Sequence, residues 1–267
     1  MRVAQLYIYP IKSGPAVCLA QAEALERGLA HDRRFMVTDA RGTFITQRSH
    51  PALGRIDLRI EGDTLHVDAS GIGTCAVPLS PAEGPSMDVR VWSDTVRAHA
   101  VSTEADALFS AVVGAPSRLV YMPDQSRRPV EGFETHAVSF ADGYPVLVTN
   151  TASLEDLGRR IEGPTPPMLA FRPNVVIDTD TAWAEDDWTV LRIGDAALEC
   201  TTGCERCSVT TLDPALPGRP RPDGEPLRTL AKFRRLGGKV IFGRNAIVRS
   251  PGLMTAPGEV EVEVERR

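Results

Sequence analysis

Over its first hundred positions the chain repeats apolar residues with a period of two, and this constrains its fold more than any other feature. Apolar and polar residues alternate there and turn signals interrupt them, the pattern of short strands buried on one face. "RVAQLYIYP" stops at Pro10. "RFMVTDARGTFITQ" reads as two strands around Asp39-Ala40-Arg41-Gly42, and "LGRIDLRIEGDTLHVDA" as two more around Glu61-Gly62-Asp63. "MDVRVWSDTVRAHAVS" turns at Ser93-Asp94. Many short strands with close turns predict a small barrel or sandwich.

At Thr103 the period changes. "TEADALFSAVVG" has a capping threonine, acidic residues in its first turn and Gly114 at its end, which predicts a short helix and a domain boundary nearby. The second half mixes types. Strand "YPVLVTN" leads into helix "TASLEDLGRRIEG", with Asn150 or Ser153 as cap and Gly163 as stop. After a proline-rich loop come strand "FRPNVVIDT", a hairpin "TVLRIGDAALEC" turning at Gly194-Asp195, a polar loop, helix "PLRTLAKFRR", strand "VIFGRNAIV" and the alternating "EVEVEVE". The expected fold is therefore mainly β with α+β elements. It comprises a barrel-like domain over residues 1–115 and a strand-rich domain with a few helices over 116–267, strand exchange between them being possible.

Composition limits the function classes. The chain has 267 residues, 42% hydrophobic and 24% charged, the balance of a globular protein. With a net charge of −5, no global attraction to nucleic acid or to anionic membranes is available, so any anion must be held by a local cluster. Five cysteines and a start, "MRVAQLYIYP", that lacks the apolar core of a signal peptide predict free thiols in a reducing, cytoplasmic setting. No apolar run approaches the roughly 20 residues needed to cross a bilayer.

Cys200, Cys204 and Cys207 raise the question of chemistry. Their spacing matches that by which radical S-adenosylmethionine enzymes bind an iron–sulfur cluster, but that chemistry needs strand–helix units after the motif and only 60 residues follow. A redox pair wants a helix start, and "SVTTLDP" is rich in β-branched residues and runs into a proline. A structural zinc site wants a second ligand pair, which the five histidines do not supply. Cys18, Cys75 and Cys200 read as packed thiols. Cys207 differs because Arg206 adjoins it, and a thiolate near arginine is ready to act as nucleophile or soft-metal ligand. One protein ligand suffices only if a cofactor supplies the others.

Several stretches together resemble the MOSC proteins that carry a MOSC N-terminal β-barrel domain, the relatives of amidoxime-reducing components and of bacterial reductases of N-hydroxylated bases. These are "LYIYPIKSG", "GLAHDRRFMVTD", "FRPNVVI" and "CERCSVTTLDP", then "PLRTLAKFR" and "FGRNAIV", in order over nearly the whole chain. The resemblance implies a molybdenum cofactor whose pterin dithiolene, with oxo groups and Cys207, holds the metal, while Arg206 lies against the cofactor. It further implies that Lys12, Ser13, Arg33 and Arg172 meet the pterin phosphate, and that Asp142, Asn150 and Asn245 line the pocket. Lys12 ends one apolar strand and Arg172 lies just inside another, so neither reads as an ordinary surface charge.

Some bacterial relatives end in a ferredoxin domain and animal relatives begin with a membrane anchor. Neither is found here, so electrons are expected from a separate protein, a ferredoxin or a cytochrome b5-like protein with its reductase, in the cytoplasm. The implied activity is reduction of N-hydroxylated compounds. Two alternatives stay open: sulfur transfer through a Cys207 persulfide, and a carrier that stores the cofactor without turnover.

Overall fold

A computed structural model describes residues 1–82, 84–212, 221 and 223–264. The Asp213-Pro214 end of the cysteine motif and the last glutamate of the terminal alternation lie outside these. The chain divides into two compact units, each assembled from separate stretches. One comprises Met1–Tyr7, Cys18–Ala30 and Tyr144–Arg267; the other comprises Ile8–Val17 and His31–Gly143.

The second of these units is built from the alternating hairpins. Asp57–Glu61, Thr64–Ala69 and Gly73–Pro78 form a three-stranded antiparallel sheet, Gly62 taking φ 55° in its first turn. Phe35–Asp39, Ser117–Tyr121, Asp94–Ala100 and Ser86–Val91 form a four-stranded sheet in that order. The alternation works as expected: Leu65, Val67, Cys75, Val77 and Leu119 are buried, and helix Thr103–Val113 adds Ala105, Leu108, Phe109 and Val112 to the same core.

Three local expectations need correction. The helix is capped by Ser102, whose hydroxyl accepts from the Ala105 amide, and not by Thr103, which is already helical; Gly114 closes it at φ 77°. The 86–100 hairpin turns at Trp92-Ser93, one residue earlier than expected, with Trp92 at φ 55°. The second arm of the Asp39 hairpin forms only isolated bridges at Thr43 and Phe44, so a single regular strand is present there.

The first-named unit carries a larger sheet. Its order is Val17–Leu19, Arg2–Ile8, Val175–Asp178, Val146–Asn150, Lys239–Ser250, Ala196–Glu205, Trp188–Ile193 and Glu261–Val264. From Arg2–Ile8 onward the neighbours are antiparallel except Val146–Asn150 with Val175–Asp178, which are joined through helix Thr151–Arg160 and run parallel. That helix is capped by Asn150 and ends at Ile161, two residues before the expected Gly163 stop. Helix Leu227–Phe233 packs with it over a core of Leu157, Ile161, Phe171, Leu230 and Phe242. Phe171 and Phe242 stack with ring centres 3.8 Å apart. Gly243 is required where it stands, since at φ 76° a Cβ would lie 2.7 Å from the Val148 carbonyl oxygen. No helix among the described residues is long and apolar enough to cross a membrane.

Candidate functional site

The residues singled out from the sequence fall into two groups, one in each unit. The strand that begins at Arg2 ends at Ile8, and Lys12, which belongs to the hairpin-built unit, lies in the turn beyond it, not at the strand's end as expected. Its amide donates to the Phe35 carbonyl, and its side chain runs inward so that the residue is only 5% exposed. A buried ammonium must be paired or hydrogen-bonded. Lys12 Nζ donates to the Phe140 carbonyl oxygen at 2.7 Å and to Asp142 Oδ1 at 2.6 Å, and lies 5.5 Å from the Phe44 ring centre and 5.8 Å from that of Trp92.

An ammonium has three protons, and the third has no protein acceptor among the described residues. Burial pushes the Lys12 pKa down, and Asp142 only partly offsets it. The packed surroundings push the Asp142 carboxyl up, yet Lys12, the Trp92 indole N–H at 3.1 Å and Arg33 outweigh them and hold it well below the usual carboxylate range.

Arg33 takes φ 48°, an uncommon conformation for arginine. Its guanidinium lies 4.4 Å from the Tyr9 ring centre and donates to the buried Asp32 at 2.6 Å. Burial opposes its charge, but Asp32 and Tyr9 prevail and the cation is reinforced. Asp32 in turn accepts from the Tyr9 amide at 2.8 Å. Ser13, at φ 64°, turns the chain after Lys12, and its carbonyl accepts from Gln47 at 2.6 Å. Lys12 and Asp142, 130 residues apart in sequence, are thus brought into direct contact, with Arg33 close enough to act on both charges.

In the other unit, strand Ala196–Glu205 delivers the cysteine motif. Gly203 is needed there, as a Cβ would meet Ile241 at 2.5 Å. Arg206 donates through Nη1 to Cys204 Sγ at 2.9 Å and through Nη2 to the Phe171 carbonyl at 2.6 Å, while its Nε is buried without a hydrogen-bond partner. Cys207 follows at the head of the 3-10 turn Ser208–Thr211; its carbonyl accepts from the Thr210 hydroxyl and amide, and its side chain is exposed. None of the five cysteines forms a disulfide. Cys75 and Cys200 are buried as expected, with burial pushing their thiols up to about 11 and about 12; Cys18 is instead exposed on an edge strand.

Arg172 is not inside a strand. It sits at φ 57° after the 3-10 turn Met168–Phe171, three residues before strand Val175–Asp178 begins. Asn150 is fully buried and wholly engaged: it caps Ala152, donates to the Thr181 carbonyl and to Glu185, and accepts from Thr179. Asn245 donates to Thr202 at 3.2 Å across the strand pair. Among the described residues no three of His, Cys, Asp and Glu come together as a metal-binding set.

Sequence reading missed three participants. Trp92 fixes Asp142 from a strained turn that nothing in its sequence neighbourhood announces. Arg128 is buried and spends its guanidinium on Asp94 and on backbone carbonyls, partners that leave no sequence signal. Glu185 is a buried carboxyl that accepts from Asn150 and Ser153 through Oε2, with Oε1 unpartnered, and burial pushes its pKa up.

Comparison with known proteins places these residues in context. The model of the MOSC N-terminal beta barrel domain matches residues 1–116, and that of the MOSC domain matches residues 135–263. The chain is 35% identical to mitochondrial amidoxime-reducing component 1 of Mus musculus, covering 94% of this chain and 78% of that protein. To the Homo sapiens component 1 it is 32% identical, covering 94% and 79%, and to that of Danio rerio 31%, covering 94% and 82%.

Proposed function

We propose a function from one premise: the chain belongs to the MOSC family, in the branch whose MOSC domain follows a MOSC N-terminal β-barrel domain. The reading is a molybdenum-cofactor-dependent reductase of N-hydroxylated compounds. Its net reaction breaks an N–O bond, takes up two electrons and two protons, and releases the base and water. When bound, the cofactor supplies a metal that receives the electrons one partner delivers and passes them to the substrate. The partner is a separate ferredoxin or a cytochrome b5-like protein with its reductase.

The observation that carries this reading is the pairing of an exposed Cys207 thiol with an adjacent Arg206 whose buried Nε lacks a partner. A thiol open to solvent is available as a ligand, and a buried unpaired guanidinium N–H is stabilised by any acceptor brought to it. The residues of the other unit fit the cofactor's phosphate. Lys12 keeps one proton uncommitted within a buried environment, and Arg33 is held as a permanent cation by Asp32 and Tyr9. Ser13 and Arg172 both take left-handed backbone conformations in turns.

In this reading Cys207 holds the metal, and Arg206 fixes the motif to the Phe171 carbonyl so that the thiol keeps one orientation. Lys12, Ser13, Arg33 and Arg172 neutralise and orient the phosphate. By the resemblance Asp142 in one unit and Asn245 in the other are assigned to the cofactor, while Asn150, fully engaged inside, holds the helix start. The test is elemental analysis of protein from a molybdate-supplied host, with Cys207→Ser alongside. Near-stoichiometric molybdenum in the wild type and little in the variant supports the reading. No molybdenum in either, with a persulfide mass on Cys207, overturns it in favour of sulfur transfer.

A further inference from the structure

Arg128 is 5% exposed, and all the protein acceptors recorded for its guanidinium lie on two short stretches. Nε donates to Asp94 Oδ2 at 2.5 Å, Nη1 to the carbonyls of Ser139, at 3.2 Å, and of Ala141, and Nη2 to the carbonyl of Asp142 at 2.7 Å. Three carbonyls of one four-residue loop therefore turn toward a single cation. Carbonyls aimed inward need a donor, and the rigid, five-proton fork of arginine can serve several at once where an ammonium cannot.

The same loop supplies both acceptors of Lys12, the Phe140 carbonyl and the Asp142 carboxylate. The tip of the 86–100 hairpin is tied to it twice, from Asp94 through Arg128 and from Trp92 to Asp142. A turn that holds tryptophan at φ 55° is unfavourable on its own and persists where its surroundings fix it. We propose that Arg128 is a positioning residue: by fixing the Ser139–Asp142 loop it sets where the Lys12 ammonium directs its uncommitted proton. The consequence for cofactor binding rests on the phosphate role of Lys12 proposed above; the positioning itself does not.

The chain has three lysines, Lys12, Lys232 and Lys239, so selective 13C labelling of lysine gives a spectrum simple enough to follow one side chain. Lys12 lies against two aromatic rings, and ring currents displace its signals from those of the two exposed lysines. In cofactor-free protein, Arg128→Gln is expected to move the Lys12 signals toward the exposed pair and leave the others in place. Asp94→Asn, a milder change that removes one anchor of the guanidinium, is expected to move them part of the way. Lys12 signals that stay put in both folded variants overturn the proposal.

A second arm follows molybdenum lost from loaded protein on dialysis. Arg128→Gln is expected to lose it about tenfold faster, as when a charge-assisted hydrogen bond is misaligned. In a Lys12→Met background the same change is expected to add nothing, because its route is gone. An equal acceleration in both backgrounds overturns action through Lys12. Failure of the phosphate role has its own signature: Lys12→Met then retains molybdenum like the wild type while the Lys12 signals still move in Arg128→Gln, which supports the positioning alone.

Discussion

The Lys12 cluster and the Cys204–Cys207 segment treat their reactive groups in opposite ways. Lys12 is enclosed by residues distant in sequence, with two of its protons committed and its charge opposed by burial. Cys207 stands exposed at the start of a short turn, its carbonyl accepting from Thr210, while Arg206 ties the segment to the Phe171 carbonyl. Enclosure makes a charge directional and costly to move, whereas exposure keeps a thiol available to a large ligand.

The comparison is most severely tested by removing the enclosed charge. Lys12→Met should weaken cofactor retention by about 30-fold, the equivalent of roughly 2 kcal/mol for a hydrogen bond to a charged group, measured as molybdenum retained against dilution. A change below twofold would mean that the enclosed ammonium is structural only. Of comparable weight, but read as stability and not as retention, is the support beneath the cysteine segment. Phe171→Ala, at a fully buried ring whose carbonyl receives Arg206, should cost about 3–5 kcal/mol in urea unfolding. A loss under 1 kcal/mol would show the segment to be independent of that core.

Most of the hairpin register was legible from the sequence, because period two sorts residues between faces and a two-residue turn then fixes pairing. Asp57–Glu61 with Thr64–Ala69 and Trp188–Ile193 with Ala196–Glu205 follow that rule. Trp92 escaped it, since a large residue with positive φ is the opposite of what a turn is expected to contain. Lys12 and Arg172 stood out in the sequence as odd charges near apolar strands, but the contacts they make did not. Lys12 meets Asp142 across 130 residues, and Arg128 gives no signal in the sequence because its partners are mostly carbonyls, which every residue has. Asn150 shows the converse: a helix cap and a pocket residue look alike in one sequence, and its bonds here are those of a cap.

Smaller effects sharpen the contrast between enclosed and exposed groups. Burial raises the Glu185 pKa above its unfolded value near 4.3. Its contribution to stability is therefore full below that value and lost as pH rises toward the folded pKa. Glu185→Gln, which keeps an acceptor for Ser153 and Asn150, should flatten the dependence of Tm on pH and melt about 2–4 °C higher at pH 8. A slope identical to the wild type would show that Glu185 does not titrate there. Smallest is a difference in labelling order: brief alkylation at pH 7 should modify Cys207 while leaving Cys75 and Cys200 intact, as mass spectrometry of peptides would report. Equal labelling would remove the distinction.

The threading of the chain through its two units has a consequence for synthesis. The strand Arg2–Ile8 leaves the ribosome well before its sheet partner Val175–Asp178, which emerges about 170 residues later. At roughly 5–20 residues per second that is a wait of about 10–30 s. The hairpin-built unit, finished by Gly143, is available to fold during that interval, while Arg2–Ile8 has only the short Val17–Leu19 beside it in its own sheet. A newborn chain thus carries a strand with one edge open until its second half arrives, so slowed translation beyond residue 143 lengthens the period in which that edge could pair wrongly.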